Sequence, residues 1–190
     1  ARQPALVPAR PVYLLYGREQ VLLDEVLAKL VAGVRQSSIG EPEVQTLFGP
    51  GTTAEQVGQE LANLSLLSAA KVVVLREAQR MRAPEQARLA NLVPRLGPGA
   101  LLVLIAGEPR YDAKTRQTKL LHDKLEPVVR ASGVVIEVPT FREQDAERWL
   151  LAEAQEAGIR MEPRAAAQMV LLAGADLTRL RHELEKVVAY

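Results

Sequence analysis

Apolar and polar positions alternate along this chain with two different periods. Five short runs rich in Val, Ile and Leu recur at Val12 to Tyr16, Val44 to Phe48, Val72 to Leu75, Leu101 to Ile105 and Val134 to Val138. Most are apolar on both faces, as strands buried between two layers must be. Between them the apolar positions fall three and four residues apart. The first such segment places Leu22, Leu23, Val26, Leu27, Leu30, Val31 and Val34 on one stripe, the face a helix lays on a sheet. Further helices are expected over Thr53 to about Asn63, Pro84 to about Leu92 and Lys114 to about Val129, with Gly49-Pro50-Gly51 and Gly97-Pro98-Gly99 as loops. Strands alternating with helices predict an α/β fold with a mostly parallel five-stranded sheet flanked by helices.

After Pro139 the strand period disappears. Phe141 to Ala157, Pro163 to Ala173 and a helix capped by Asp176 and bearing Leu177, Leu180, Leu184, Val187 and Val188 follow one another, with Gly158 and Gly174 as stops. These predict a small three-helix domain. The expected division is an α/β domain over residues 1–139 and a helical lid over residues 140–190. The last helix reaches Tyr190 with no Gly, Asn or Pro to end it, so the chain is expected to be a fragment of a longer protein.

The junction of the first strand and first helix, VYLLYG followed by REQVLLDEVL, lies where a phosphate loop stands in nucleotide-binding α/β domains. Such a loop needs several glycines to converge backbone N–H groups on the phosphates, a lysine for their charge and a hydroxyl for magnesium. Only Gly17 is present, and Arg18, Glu19 and Gln20 fill the turn. The third strand would carry a magnesium-binding aspartate followed by a water-activating glutamate in an active hydrolase; here it runs into Arg76 and Glu77. An arginine repels the metal, and Glu77 reads as a solvated strand-end charge. Ala106 and Gly107 end the fourth strand, where a polar side chain would sense the attacking water. Three positions therefore argue together against NTP hydrolysis.

Composition removes other chemistries. With 24 Lys and Arg against 23 Asp and Glu, no charge excess draws the chain to nucleic acid or membrane. The absence of cysteine excludes disulfides and thiolate metal sites, and no apolar run reaches the length of a membrane span. A cytoplasmic location follows as the expectation. His122 and His182 fall in different predicted domains without a second ligand at metal spacing, and no serine sits in a GxSxG elbow. Neither an enzyme active site, a metal nor a cofactor is expected.

Four stretches, VYLLYGREQVLLDEVL, LSLLSAAKVVVLREAQ, RYDAKTRQTKLLHDKLEP and GADLTRLRHELEKVVAY, stand in the order in which they occur in a known family. In them the chain resembles the delta subunit of the bacterial DNA polymerase III clamp loader, a non-hydrolysing AAA+ relative, from about Pro11 to Tyr190. The resemblance implies a replication protein that binds the beta sliding clamp and opens the ring for loading onto primed DNA. Its other partners would be the remaining loader subunits, delta prime and tau/gamma, with primer-template DNA met indirectly and no membrane involved. The holoenzyme it serves would be a DNA-directed DNA polymerase. Family members continue into a third helical domain that joins the loader's collar.

In that family an apolar pair after a serine, usually Leu-Phe, grips the clamp between a helix and the third strand. Here the resemblance implies Ser65 with Leu66 and Leu67, preceded by Asn63 and Leu64, where clamp-binding peptides carry Gln and an aliphatic residue. Leu67 replaces the aromatic, and the usual Gln is missing, with Asn63 or Ala62 in its place depending on register. Read as pattern alone, Leu61, Leu64, Leu66 and Leu67 are a clump at a helix-to-strand transition that favours capping the core; the resemblance favours exposure of one or two. Two leucines entering a preformed pocket supply about 3–6 kcal/mol before association costs. Arg110, Lys114, Arg116, Lys119 and Lys124 make one predicted helix partly basic, with Asp112, Asp123 and Glu126 balancing it. Arg179 is assigned to the surface or the lid. Two alternatives to the clamp-opening reading stay open: a nucleotide-binding AAA+ ATPase with a degenerate loop, and a DNA-binding module using the basic helix.

Overall fold

The computed structural model describes residues 6–38, 40–63, 70–112 and 116–188. They divide into two compact units, one of residues 6–17 with Leu23–Val138 and one of Arg18–Leu22 with residues 139–188.

The larger unit is built on a parallel sheet of five strands: β1 (Val12–Tyr16), β2 (Glu43–Phe48), β3 (Lys71–Arg76), β4 (Ala100–Ala106) and β7 (Val134–Glu137), in the order β2-β3-β4-β1-β7. β1, β3 and β4 are central and buried on both faces, which is why they read as unbroken apolar runs. The alternating β2 is an edge strand whose Val44 and Phe48 are exposed. One face, with Val12, Leu14, Val73, Leu75, Leu102 and Leu104, packs into a common core with α2 (Ala54–Ala62), α3 (Ala83–Leu92) and α4 (Leu125–Ser132). α1 (Gln20–Ser37) buries Leu23, Leu30 and Val34 from its apolar stripe. Thr53 and Gln56 close α2 with a reciprocal capping box, and the buried Glu85 of α3 accepts the Ala54 N–H at 2.9 Å.

The helix expected over Lys114 to Val129 is not there. β5 (Arg110–Asp112) and β6 (Gln117–Lys119) pair antiparallel, residues 113–115 lie outside the described chain, and only Leu125–Ser132 is helical. Pro127 supplies the reason. It lacks the N–H that a helix interior requires, so it is tolerated as the third residue of α4 and would break a helix begun at Lys114. The basic helix face dissolves with it: Arg110 is on β5, Lys119 on β6 pairs with Asp123 at 2.5 Å, and Lys124 precedes α4.

Glu126 makes this rearrangement stable. Its Oε2 accepts the N–H groups of Leu120 and Leu121 at 3.0 and 3.1 Å, while Oε1 takes Arg130 at 2.8 Å. Burial alone would raise this carboxyl, but Arg130 and the two amides outweigh it and hold it below its ordinary range. A depressed folded-state value contributes stability above the unfolded carboxyl range and loses it as pH falls through the folded value. Urea melts of wild type between neutral pH and the acid limb are therefore expected to show a fall in stability that Glu126→Gln flattens; identical slopes for both proteins would contradict this.

The smaller unit consists of α5 (Glu143–Glu156), α6 (Pro163–Ala173) and α7 (Leu177–Val188). Ala146, Leu150, Ala154, Ala166, Val170, Leu177, Leu180 and Leu184 form its core together with Val21. The Asp176 carboxylate accepts the Arg179 N–H at 3.0 Å at the start of α7, the N-cap bond expected of that residue. Arg181 stacks over Trp149 at 5.3 Å and pairs with Glu153 at 2.9 Å. No helix among the described residues is long and apolar enough to cross a membrane.

Candidate functional site

Two regions answer to the sequence expectations, at opposite ends of the sheet strands. At the carboxyl ends, β1 runs into Gly17, whose φ of +147° belongs to backbone that only glycine adopts readily. A Cβ there would stand 2.8 Å from the carbonyl oxygen of Val138. The turn is thus closed against the end of the β7 segment, with no cradle of glycine amides. Glu19, two residues on, is buried and accepts backbone hydrogen bonds from Leu177 and Phe141. Burial raises its carboxyl above the ordinary range, the amides only partly offsetting it. A carboxylate in this turn is the opposite of the lysine that a phosphate requires.

The neighbouring strand ends are equally committed. Arg76, where a magnesium-binding carboxylate would stand, binds Asp24 of α1 at 2.6 Å. Glu77 has a left-handed φ of +52° and pairs with Arg80 at 2.9 Å. Past β4, the buried Ala106 leads to Gly107, which faces the Gln79 side-chain nitrogen. His122 accepts the Lys124 N–H through Nδ1, and His182 is exposed on α7. Among the described residues, no group of three or more His, Cys, Asp or Glu is placed to hold a metal ion.

The second region lies between α2 and β3. Of the residues the resemblance implies for clamp binding, Leu64, Ser65, Leu66 and Leu67 lie outside the described residues. Asn63 is described: it is exposed and caps the end of α2, its N–H bonding the Gln59 carbonyl at 2.9 Å. Leu61 points into the core and is 4% exposed, so that member of the leucine clump is structural. On the far side, Ala70 is buried and its carbonyl accepts the Glu43 N–H at 2.9 Å.

Sequence reasoning missed the group that joins these two ends. Lys71 opens β3 with 1% of its side chain exposed, its Nζ 2.5 Å from Glu43 of β2 and 3.4 Å from Glu60 of α2. Glu43 is its direct register partner on the edge strand. Burial alone would push the ammonium down; the two carboxylates outweigh that and hold Lys71 above its ordinary range, and so charged. The one signal in the sequence is a lysine at the head of the apolar run VVVL; its partners are 28 and 11 residues away and invisible to local pattern.

The family model of the DNA polymerase III delta subunit matches residues 13–131. The chain belongs to the DNA polymerase III delta subunit family. A probable DNA polymerase III subunit delta from Aquifex aeolicus is 26% identical over 192 aligned positions, covering 96% of this chain and 51% of that protein. The Bacillus subtilis DNA clamp loader delta protein superposes with a TM-score of 0.60 at 18% identity, over 94% of this chain and 53% of its own. The same fold recurs in the Thermotoga maritima RuvB Holliday junction branch migration motor, with a TM-score of 0.59 at 14% identity over 92% of this chain. The fold is that of clamp-loader delta and the RuvB motor. The chain spans about half the length of these relatives, by the 51% and 53% coverage of the first two.

Proposed function

We propose that this chain is the part of a delta subunit that binds the beta sliding clamp and opens it, with Leu66 and Leu67 as an apolar plug and Ser65, Leu64 and Asn63 beside them. The observation that carries this reading is the setting of the apolar segment: residues 64–69 connect a helix ending in an exposed, capped Asn63 to a strand start whose Ala70 and Lys71 are buried and bonded. A rigid body presenting an apolar tip opens a ring by differential affinity, because it shifts the ring's equilibrium only as far as it prefers the open interface to the closed one. No nucleotide need be consumed by this chain.

The absence of ATPase activity is part of the same proposal. The carboxylate of Glu19 in the turn and the engagement of Arg76 with Asp24 support it. ATP then acts in neighbouring subunits of a cytoplasmic loader, whose other members would be delta prime and tau/gamma. Equilibrium titration with labelled ATP, with and without magnesium, is expected to give no saturable binding; tight saturable binding would favour a nucleotide-dependent subunit instead.

The clamp contact is tested by calorimetric titration against the cognate beta clamp. Leu66→Ala combined with Leu67→Ala is expected to weaken binding by about 30-fold, equivalent to about 2 kcal/mol, without changing the melting temperature. Equal affinity of variant and wild type would reject these residues as the plug.

A further inference from the structure

The described residues on either side of residues 64–69 are fastened, and one buried cation fastens them to each other. Glu60 sits in the last turn of α2, before Asn63, and Lys71 follows Ala70 at the head of β3. The Lys71 ammonium reaches Glu60 at 3.4 Å and Glu43 at 2.5 Å, so α2, β2 and β3 meet at one nitrogen. Backbone bonds reinforce the strand side: the Lys71 N–H donates to Gly99 at 2.8 Å and the Ala70 carbonyl accepts from Glu43 at 2.9 Å.

Packing alone does not call for a charge here. Methionine or leucine fills such a volume without desolvating an ion, and a buried ion cluster replaced whole by apolar side chains is often neutral or stabilising, whereas removing one member leaves its partners uncompensated. An ammonium differs from a methyl group in being directional. It holds the helix end and the strand head at a set separation, whereas an apolar contact tolerates sliding. Glu43 and Glu60 remain partly exposed, with side chains 40% and 35% accessible, so water can serve both carboxylates if the lysine is removed.

We propose that Lys71, through Glu60 and Glu43, is a positioning residue that fixes the two stems of residues 64–69 for clamp engagement. This rests on the clamp-binding reading above. The variants are Lys71→Met, Glu60→Gln and Lys71→Arg in the full chain, with Leu66→Ala plus Leu67→Ala as the reference for lost contact. Three quantities are read: melting temperature, amide exchange at Asn63 and Lys71, and affinity for the beta clamp.

Lys71→Met is expected to raise exchange at both amides and to lower clamp affinity, each about tenfold. Lys71→Arg retains the charge and is expected to recover most of both. Where Lys71→Met also lowers the melting temperature, Glu60→Gln decides, since it leaves Lys71 paired with Glu43 and releases only the helix stem. Wild-type exchange and wild-type affinity in both Lys71→Met and Glu60→Gln overturn the proposal while leaving the clamp reading intact. A wild-type chain that does not bind the clamp removes the clamp reading, and the positioning role with it.

Discussion

Leu104→Ala is expected to lower the unfolding free energy of the α/β unit by about 3–5 kcal/mol. Leu104 is fully buried in β4, and its register partners are Leu14 of β1 and Leu75 of β3, both also fully buried. The three leucines form one row across the centre of the sheet, under α2, α3 and α4. Central strands held on both sides cannot slide inward to fill a hole, so the cavity term is added almost whole to the lost transfer energy. Domains of this kind are stable by only about 5–15 kcal/mol, so the variant should unfold at a markedly lower urea concentration with an unchanged slope. A loss below about 1 kcal/mol would mean that this face repacks freely, contrary to the layered core described above.

Gly17→Ala is expected to cost on the order of 3 kcal/mol through two separable effects. Its φ of +147° penalises any Cβ, and that Cβ would be driven to 2.8 Å from the Val138 carbonyl oxygen. The Val138 N–H in turn donates to Tyr16 at 2.9 Å, so the obstacle is fastened to β1 and cannot recede cheaply. Gly51 is the control: its φ is +86°, yet a Cβ there would meet nothing within 4 Å. Gly51→Ala should therefore show the conformational penalty alone, about 1 kcal/mol. Comparable losses for the two variants in parallel denaturant melts would remove the steric contribution assigned to Val138.

Strand content and sheet type were legible in the sequence because burial on both faces leaves a mark that few other settings leave: Val72 to Leu75 and Leu101 to Ile105 have no polar side to misplace. The capped helices were legible for a similarly local reason, as Thr53 and Asp176 act on amides three residues away. The region after β4 was not. LLHDKLEPVV carries leucines and valines at helical spacing, and strands of three residues are too short to announce a period of two. Pro127 is the local signal in the sequence against a long helix there.

The candidate site divides along the same line. The missing phosphate-loop residues and the arginine at the end of β3 are visible as identities at fixed offsets in the chain. Lys71 with Glu43 and Glu60, and Glu19 against the amides of Phe141 and Leu177, are arrangements between elements brought together only by folding. A lone lysine or glutamate gives no hint of its partner when that partner is set by sheet order.

Trp149 is the chain's single tryptophan, and it sits among α5, α6 and α7 under the Arg181 guanidinium. Indole emission is thus a private reporter of the helical unit, silent about the sheet. Far-ultraviolet dichroism sums over both. Curves from the two probes coincide only when the units melt as one cooperative body, so the placement of one aromatic ring gives this chain a built-in measure of whether its halves unfold together.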